Sequence, residues 1–289
     1  MSLRISTMRL VAGLSLWLGW AMPASASAQC VLPDVAMHVP AGIDAPVPLL
    51  ILLHGSTSTG AAMLADSGLA ATADRHGFIL IAPDGGIAAD KGFVWNIPGV
   101  ATVSGNLPTA ADRDDVAYLL GQADALIDAG CVDAARVYVT GLSGGGRMAS
   151  WLGCVAADRI AAMAPVVGLR AGRPSQDDPM QPDPKTCRPV RPVPVIAFAG
   201  DVDRTNPIQG GGASYWRYTM HAAEQRWAAL NGCRTTQPTR WIAADVYQEG
   251  YGDCRTGAEV VGRVTRGGGH SWAVADNEVM WAFLSRHRR

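Results

Sequence analysis

One serine in this sequence lies in a pattern of glycines that could make its hydroxyl a nucleophile. Ser143 is the central residue of the G-x-S-x-G stretch at 141–145, directly after the strand-like RVYVTG of 136–141. In a nucleophile elbow the serine occupies a strained turn between a strand and a helix. The N-terminus of that helix favours developing negative charge. The pattern predicts nucleophilic chemistry at Ser143 rather than an ordinary glycine-rich connection.

A serine nucleophile needs a base and an acid, and the sequence offers both downstream. His270 lies in the glycine-rich stretch GGGHSWA and is the candidate base. Asp201 and Asp203 follow the strand-like VPVIAFAG and are the candidate acids. The order serine, acid, histidine is that of α/β-hydrolases. The residues alone leave open which aspartate orients the imidazole.

An earlier apolar run predicts the remaining part of such a site. The stretch LLILLHGSTSTG ends a strand and enters a loop rich in glycine, serine and threonine. In this fold a loop after an early strand donates the second N–H of an oxyanion hole. We therefore expect the backbone N–H groups of Ser56 and Gly144 to form that hole. His54 precedes the elbow in the chain, and we expect it to brace the loop by hydrogen bonding.

Apolar runs alternate along the chain with stretches of helical periodicity. Uninterrupted apolar runs are typical of strands buried on both faces of a parallel sheet, and the sequence contains VPLLILLH (47–54), FILIAP (78–83), RVYVTG (136–141), MAPVVG (163–168) and VPVIAFAG (193–200). Helices are predicted over residues 60–77, 113–130, 213–230 and 276–289, the last with Asp276 as its N-cap. The alternation predicts an α/β fold, with a mostly parallel sheet and helices on both faces.

The first 28 residues have the pattern of an export signal. Arg4 and Arg9 precede the apolar stretch 11–22, and Ala26-Ser27-Ala28 forms an A-x-A cleavage site. A membrane anchor is the alternative, but the apolar run is short for a span. We therefore expect a signal peptide over 1–28 and a single catalytic domain over 29–289. The expected location is secreted or periplasmic.

Charge and cysteine content narrow the possible partners. The 289 residues carry a net charge of −1, which argues against nucleic acid or an anionic membrane surface as partners. The six cysteines are even in number and all follow the predicted signal, so we expect three disulfides. The absence of a C-x-x-C pair argues against zinc, and no metal or cofactor is predicted. Spacing alone leaves 15 pairings open.

Taken together, the motifs resemble the secreted esterase family that includes feruloyl esterases and polyhydroxybutyrate depolymerases. The stretches that carry the resemblance are LLHGSTSTG, APDG, the Trp95-Asn96 pair, RDDVAYL, CVDAARVYVTGLSGGGRMA, AGDVDRTNPIQGG and GGGHSWA. The resemblance implies an α/β-hydrolase fold and ester hydrolysis through an acyl-enzyme on Ser143, with His270 as base. It places the acid at Asp203, because the family usually carries a small residue where Asp201 stands.

The resemblance also implies features that the residues alone do not. It pairs Cys30 with Cys131, Cys154 with Cys187 and Cys233 with Cys254. Separately, Trp272 lies two residues from His270, and we expect Trp272 and Trp95 to line the substrate pocket. Ser56 stands where the family often has cysteine, a change that keeps the backbone donor. The implied substrate is a small or oligomeric ester of the feruloyl esterase kind. The alternatives are a polyhydroxybutyrate depolymerase or hydroxyalkanoate oligomer hydrolase, a serine peptidase and an inactive binding module. The oligomeric state is left open.

Overall fold

The computed structural model describes residues 30–289 together with Met1. The predicted signal sequence beyond Met1 therefore lies outside the described residues. Within the described part of the chain, no helix is both long enough and apolar enough to cross a membrane.

The fold is built on one large sheet and a short hairpin. The strands are β1 (Ala36–His38), β2 (Val47–Leu53), β3 (Ile79–Ala82), β4 (Ile87–Ala89), β5 (Gly92–Val94), β6 (Val132–Leu142), β7 (Ala162–Val166), β8 (Val195–Gly200), β9 (Thr235–Trp241), β10 (Val246–Gly252) and β11 (Val260–Thr265). Nine of them form the sheet in the order β1-β3-β2-β6-β7-β8-β11-β10-β9, and β4 pairs with β5 in the hairpin.

The centre of the sheet is parallel and its edges are antiparallel. Every neighbouring pair from β3 through β2, β6, β7 and β8 to β11 is parallel. Strand β1 adds antiparallel at one edge, and β10 and β9 add antiparallel at the other. All seven residues of β2 are buried, and its successive side chains enter two different core clusters. The predicted α/β class with a mostly parallel sheet is thus confirmed.

Helices cover both faces of this sheet. They are α1 (Gly60–Ser67), α2 (Leu69–His76), α3 (Asp115–Asp128), α4 (Gly144–Val155), α5 (Met220–Asn231) and α6 (Asn277–Leu284). Buried residues of α3, α4 and α5 belong to one core cluster, whereas those of α1, α2 and α6 belong to the other. Each cluster therefore packs against one face, and the carboxyl ends of the parallel strands share one edge.

Three predicted helices have different bounds in the structure. The stretch 60–77 is divided at Gly68, whose φ of +68° ends α1 and starts α2. The stretch 213–230 becomes helical only at Met220, because Thr219 caps the helix and accepts a hydrogen bond from Ala222 N–H. The last helix begins after the predicted N-cap Asp276 but ends at Leu284.

All six cysteines form disulfides, in the three pairs that the family resemblance implied. Cys30 is joined to Cys131 directly before β6, and Cys154 of α4 is joined to Cys187. Cys233, which follows α5, is joined to Cys254. No cysteine of the described chain is free.

The three cross-links should differ in their effect on stability. The Cys30–Cys131 bond closes a loop of 101 residues, and the Cys233–Cys254 bond closes one of 21. Loop entropy gives about 4.7 kcal/mol for the long loop and about 3 kcal/mol for the short one. We expect the Cys30→Ser/Cys131→Ser double variant to lose more free energy of unfolding than the Cys233→Ser/Cys254→Ser variant. Urea unfolding measures both, and equal losses would contradict the loop-length reasoning.

Candidate active site

Ser143 occupies a strained turn at the end of β6. Its backbone has φ 54° and ψ −109°, a conformation that non-glycine residues rarely adopt. Its N–H donates to the carbonyl oxygen of Val166 at 2.9 Å, which ties the turn to the end of β7. A side chain on Gly145 would begin 2.1 Å from the carbonyl oxygen of Leu53. The elbow glycine is therefore required by close backbone approach, as the motif predicts.

Asp203 and His270 meet at the same edge of the sheet. Their loops follow β8 and β11, which are neighbouring parallel strands with Gly200 opposite Thr265. His270 Nδ1 lies 2.7 Å from Asp203 Oδ2. The Asp203 side chain is almost fully buried, and its Oδ1 accepts the backbone N–H groups of Thr205 and Asn206. The carboxylate is thus held in one orientation toward the imidazole.

These contacts decide the ionisation of Asp203 and hence the role of each ring nitrogen. Burial acts to raise the pKa of the Asp203 carboxyl, but hydrogen bonds from His270, Asn206 and Thr205 outweigh it and lower that pKa. An ionised carboxylate can only accept, so Nδ1 of His270 carries the proton and donates it. In the neutral imidazole, Nε2 is then the nitrogen that can take a proton from a hydroxyl.

Asp201 has a different set of contacts. Its Oδ1 accepts the backbone N–H of Gly267 at 2.7 Å, and its own N–H donates to the carbonyl oxygen of Thr265. It therefore ties together the two loops that carry Asp203 and His270. Of the two aspartates that the residues alone left open, Asp203 is the one against the imidazole.

The two predicted oxyanion donors lie side by side. Gly144 is the first residue of α4, and a Cβ built on it would lie 3.0 Å from the backbone nitrogen of Ser56. The loop after β2 thus touches the helix that starts beside Ser143. An oxyanion hole made by the N–H groups of both residues requires such a close approach of the two segments.

His54 braces the loop from inside the protein. Its Nδ1 donates to the carbonyl oxygen of Gly55, and its Nε2 accepts the N–H of Gly85. Burial lowers the pKa of His54, and the acceptor role of Nε2 requires the neutral ring. Both ring nitrogens are occupied, as the expected bracing role requires.

An ion pair with a buried carboxylate holds the neighbouring APDG loop. Asp115 is buried and forms an ion pair with Arg113, and its Oδ2 accepts the N–H groups of Gly86 and Asn96. Arg113 also donates to the carbonyl oxygen of Asp84. The APDG, Trp95-Asn96 and RDDVAYL stretches, which are separate in the sequence, thus form one support beneath the Ser56 loop.

The two predicted substrate-binding tryptophans lie in different surroundings. Trp95 is buried, donates from Nε1 to the carbonyl oxygen of His54, and borders a small cavity shared with Ser56 and Gly144. Trp272 is half-buried and donates from Nε1 to Asn277 Oδ1 at the start of α6. Trp95 is thus next to the loop that carries Ser56. The role of Trp272 toward a substrate stays a prediction.

The structure adds two arginines that the sequence patterns did not single out. Arg147 on α4 and Arg170 after β7 are both buried, and both line a cavity of about 170 Å³. This cavity shares Ile97, Val100 and Arg147 with the small cavity at Ser56 and Gly144. The signal available in the sequence was a charged residue within the otherwise small and apolar helix GGGRMASWLG.

One group of side chains in residues 30–289 could offer three ligand atoms to a metal ion. It consists of His221, Glu224 and Glu249, whose ligand atoms lie within 4.8 Å of one another. Burial raises the pKa of Glu224 to about 7. None of the three is a predicted catalytic residue, and all belong to α5 and β10 rather than to the edge that carries Ser143.

The sheet order and the elbow at its centre define the class of protein: it has the α/β-hydrolase fold. Acetyl xylan esterase from Aspergillus awamori has this fold in common with the chain, with a TM-score of 0.61 and 16% identity. The match covers 86% of this chain and 92% of that one. No protein-family model matches the sequence.

The relatives found by sequence include two named kinds of esterase. Feruloyl esterase B of Piromyces equi is 30% identical over 260 residues, which cover 87% of this chain and 45% of that protein. Poly(3-hydroxyalkanoate) depolymerase C of Paucimonas lemoignei is 34% identical over 133 residues, 45% of this chain and 30% of that protein. The chain thus spans less than half the length of these relatives. They are the two kinds of esterase that the motifs resembled, so that resemblance is confirmed.

The different contacts of the two aspartates predict different losses. In Asp203→Asn, an amide replaces the carboxylate that orients and stabilises the imidazole, and we expect kcat to fall by roughly 10³- to 10⁴-fold. In Asp201→Asn, the amide oxygen can still accept the Gly267 N–H, so kcat should stay within about tenfold. Turnover of 4-nitrophenyl butyrate by folded protein measures both. The reverse ranking would move the acid to Asp201.

Proposed function

We propose that this protein is a serine hydrolase of carboxylic esters, with Ser143 as nucleophile, His270 as base and Asp203 as the acid of a catalytic triad. The observation that carries the proposal is the Asp203–His270 hydrogen bond of 2.7 Å, made at the sheet edge where Ser143 holds its strained turn. The named esterases among the sequence relatives support it.

The reaction follows from these roles. His270 Nε2 takes the proton of Ser143 Oγ as the oxygen attacks the ester carbonyl, and Asp203 stabilises the imidazolium. The N–H groups of Ser56 and Gly144 receive the negative charge that develops on the carbonyl oxygen. The imidazolium then protonates the departing alcohol, and water attacks the acyl-enzyme with His270 again as base.

For the substrate, we propose esters of the feruloyl type. The support is the relative named feruloyl esterase B, whose match extends over 87% of this chain, against 45% for the depolymerase. The cavity beside the oxyanion donors has apolar walls from Ile97, Val100 and Leu107 and a face from Trp151. Such walls suit an aromatic ring or a short chain.

We also propose that the protein works outside the cytoplasm. Three disulfides support this location, because such bonds persist in oxidising compartments and are rare in reducing ones. The export-signal pattern in the first 28 residues is the sequence feature behind the same proposal.

A substrate panel tests the proposed reaction. We expect Ser143→Ala to lower kcat on every ester by roughly 10³-fold or more, because the nucleophile is lost. Among methyl ferulate, 4-nitrophenyl butyrate and a soluble 3-hydroxybutyrate trimer, we expect methyl ferulate to have the highest kcat/KM. Chromatography of the released acids measures all three.

Each other outcome of the panel has a definite meaning. Preference for the trimer would favour the oligomer-hydrolase alternative. Full turnover by Ser143→Ala would overturn the elbow assignment. If the folded wild-type protein hydrolysed no ester, the peptidase and binding-module alternatives would replace the esterase.

A further inference from the structure

The cavity beside the oxyanion donors contains two buried positive charges. Arg147 and Arg170 are 6% and 7% exposed, and both line the 170 Å³ space whose other walls are largely apolar. Burial lowers the pKa of each guanidinium to about 10, so both are charged at neutral pH. Each charge has been taken out of water, which is unfavourable when no anion accompanies it.

No carboxylate of the described chain accompanies either charge. The groups that act on Arg147 and Arg170 electrostatically are Tyr215, Tyr218 and the other arginine. All the ion pairs formed within residues 30–289 involve other arginines or histidines. Within residues 30–289, these two neighbouring like charges therefore have no carboxylate as a counter-charge.

The guanidinium groups are held in place but not fully hydrogen-bonded. Arg170 lies between the rings of Trp216 and Tyr218 and donates to the carbonyl oxygens of Leu169 and Tyr218. Its Nη2 is buried without a partner among the described residues. Stacking on aromatic rings fixes the plane of the guanidinium, and a guanidinium of fixed plane matches the geometry of a planar carboxylate.

Arg147 contacts both the charged cavity and the predicted oxyanion donor Ser56. It lies on the first turn of α4, stacks on Tyr215 and donates from Nη2 to Ser56 Oγ at 3.3 Å. Its Nε is also buried without a partner among the described residues. Since Ser56 is a proposed oxyanion donor, an anion at Arg147 would lie only a short chain away from the scissile carbonyl.

We propose that this cavity is a carboxylate-binding subsite, and that the preferred substrates are esters in which one arm ends in a free carboxylate. The guanidinium groups of Arg147 and Arg170, both of which line the cavity, bind that carboxylate, and the apolar walls contact the carbons between it and the ester. This proposal rests on the proposed esterase function and names its substrate class. A feruloyl ester of an alcohol that bears a carboxylate would satisfy both proposals.

Two matched substrate pairs test the subsite, one for each arm of the ester. The first is mono-4-nitrophenyl adipate against its methyl ester, read as 4-nitrophenolate with the uncatalysed rate subtracted. The second is 3-butyryloxybutanoate against its methyl ester, read as released butyrate. We expect at least one acid to exceed its neutral partner about tenfold or more in kcat/KM, because a neutral end leaves both guanidiniums unpaired.

Variants assign that preference to the two arginines. Arg170→Met keeps an unbranched apolar side chain and removes the charge, and it should reduce the acid-to-neutral ratio toward one. Arg147→Met should do the same, with an additional fall on both substrates through its contact with Ser56. Arg217→Met is the matched control, because Arg217 is exposed and does not line the cavity. It should keep the wild-type ratio.

A binding measurement on the wild-type protein covers the case in which these variants fail to fold. Pentanoate should raise the melting temperature at concentrations where pentanamide, its neutral analogue, does not. If neutral esters are hydrolysed but neither acid is preferred and pentanoate has no effect, the subsite is wrong and the esterase stands. If no ester is hydrolysed although pentanoate stabilises the protein, the esterase proposal fails and the anion site stands.

Discussion

The close approach of backbone segments beneath Ser143 is the constraint on which the site depends. Gly145 brings the first turn of α4 against the carbonyl end of β2, where a Cβ would lie 2.1 Å from Leu53 oxygen. A Cβ on Gly168 would likewise lie 2.6 Å from Gly146 Cα and 2.7 Å from the carbonyl oxygen of Ser143. Because no side chain separates these segments, the start of α4 reaches the Ser56 loop, and the serine is forced into a positive φ. The packing of the three central strands keeps Ser143 in this strained backbone conformation.

A second set of contacts holds the loop that carries Ser56, one of the two proposed oxyanion donors. His54 is neutral and bonded at both ring nitrogens, and Trp95 packs on it with ring centroids 4.7 Å apart. The Arg113–Asp115 pair holds the next loop through backbone donors. Donors held in place before reaction need no reorganisation when charge develops, and this is the main electrostatic advantage of such sites. His54, Trp95 and Asp115 are buried, whereas Arg113 is partly exposed.

Charge is distributed unevenly around the site. The Asp203 carboxylate is matched by His270 and by backbone donors, whereas Arg147 and Arg170 face a largely apolar cavity. The aromatic residues that stack on Arg170 come from the segment before α5. In that segment, Trp216 and Tyr218 pack over the guanidinium, and the helix begins after the Thr219 cap.

The sequence by itself determined the order of strands and helices and the residues of the elbow. Apolar runs without interruption are typical of strands buried on both faces, and glycines on either side of a serine at a strand end are typical of a nucleophile elbow. The stretches around Asp203 and His270 were also visible as loops after such strands. The antiparallel strands β9 and β10 were not, because β9 is exposed and has no apolar run.

The contacts that distinguish Asp203 from Asp201 are visible only in the tertiary structure. Two residues so close in sequence differ in which loop each side chain meets, and that depends on the pairing of β8 with β11. The position of Arg147 and Arg170 in one cavity is likewise visible only in the tertiary structure. Arg147 and Arg170 are separated by a strand and two loops in the chain, and a charged residue in a helix is usually solvated. Their burial in one cavity arises from the packing of α4 against the loop after β7, which no local pattern encodes.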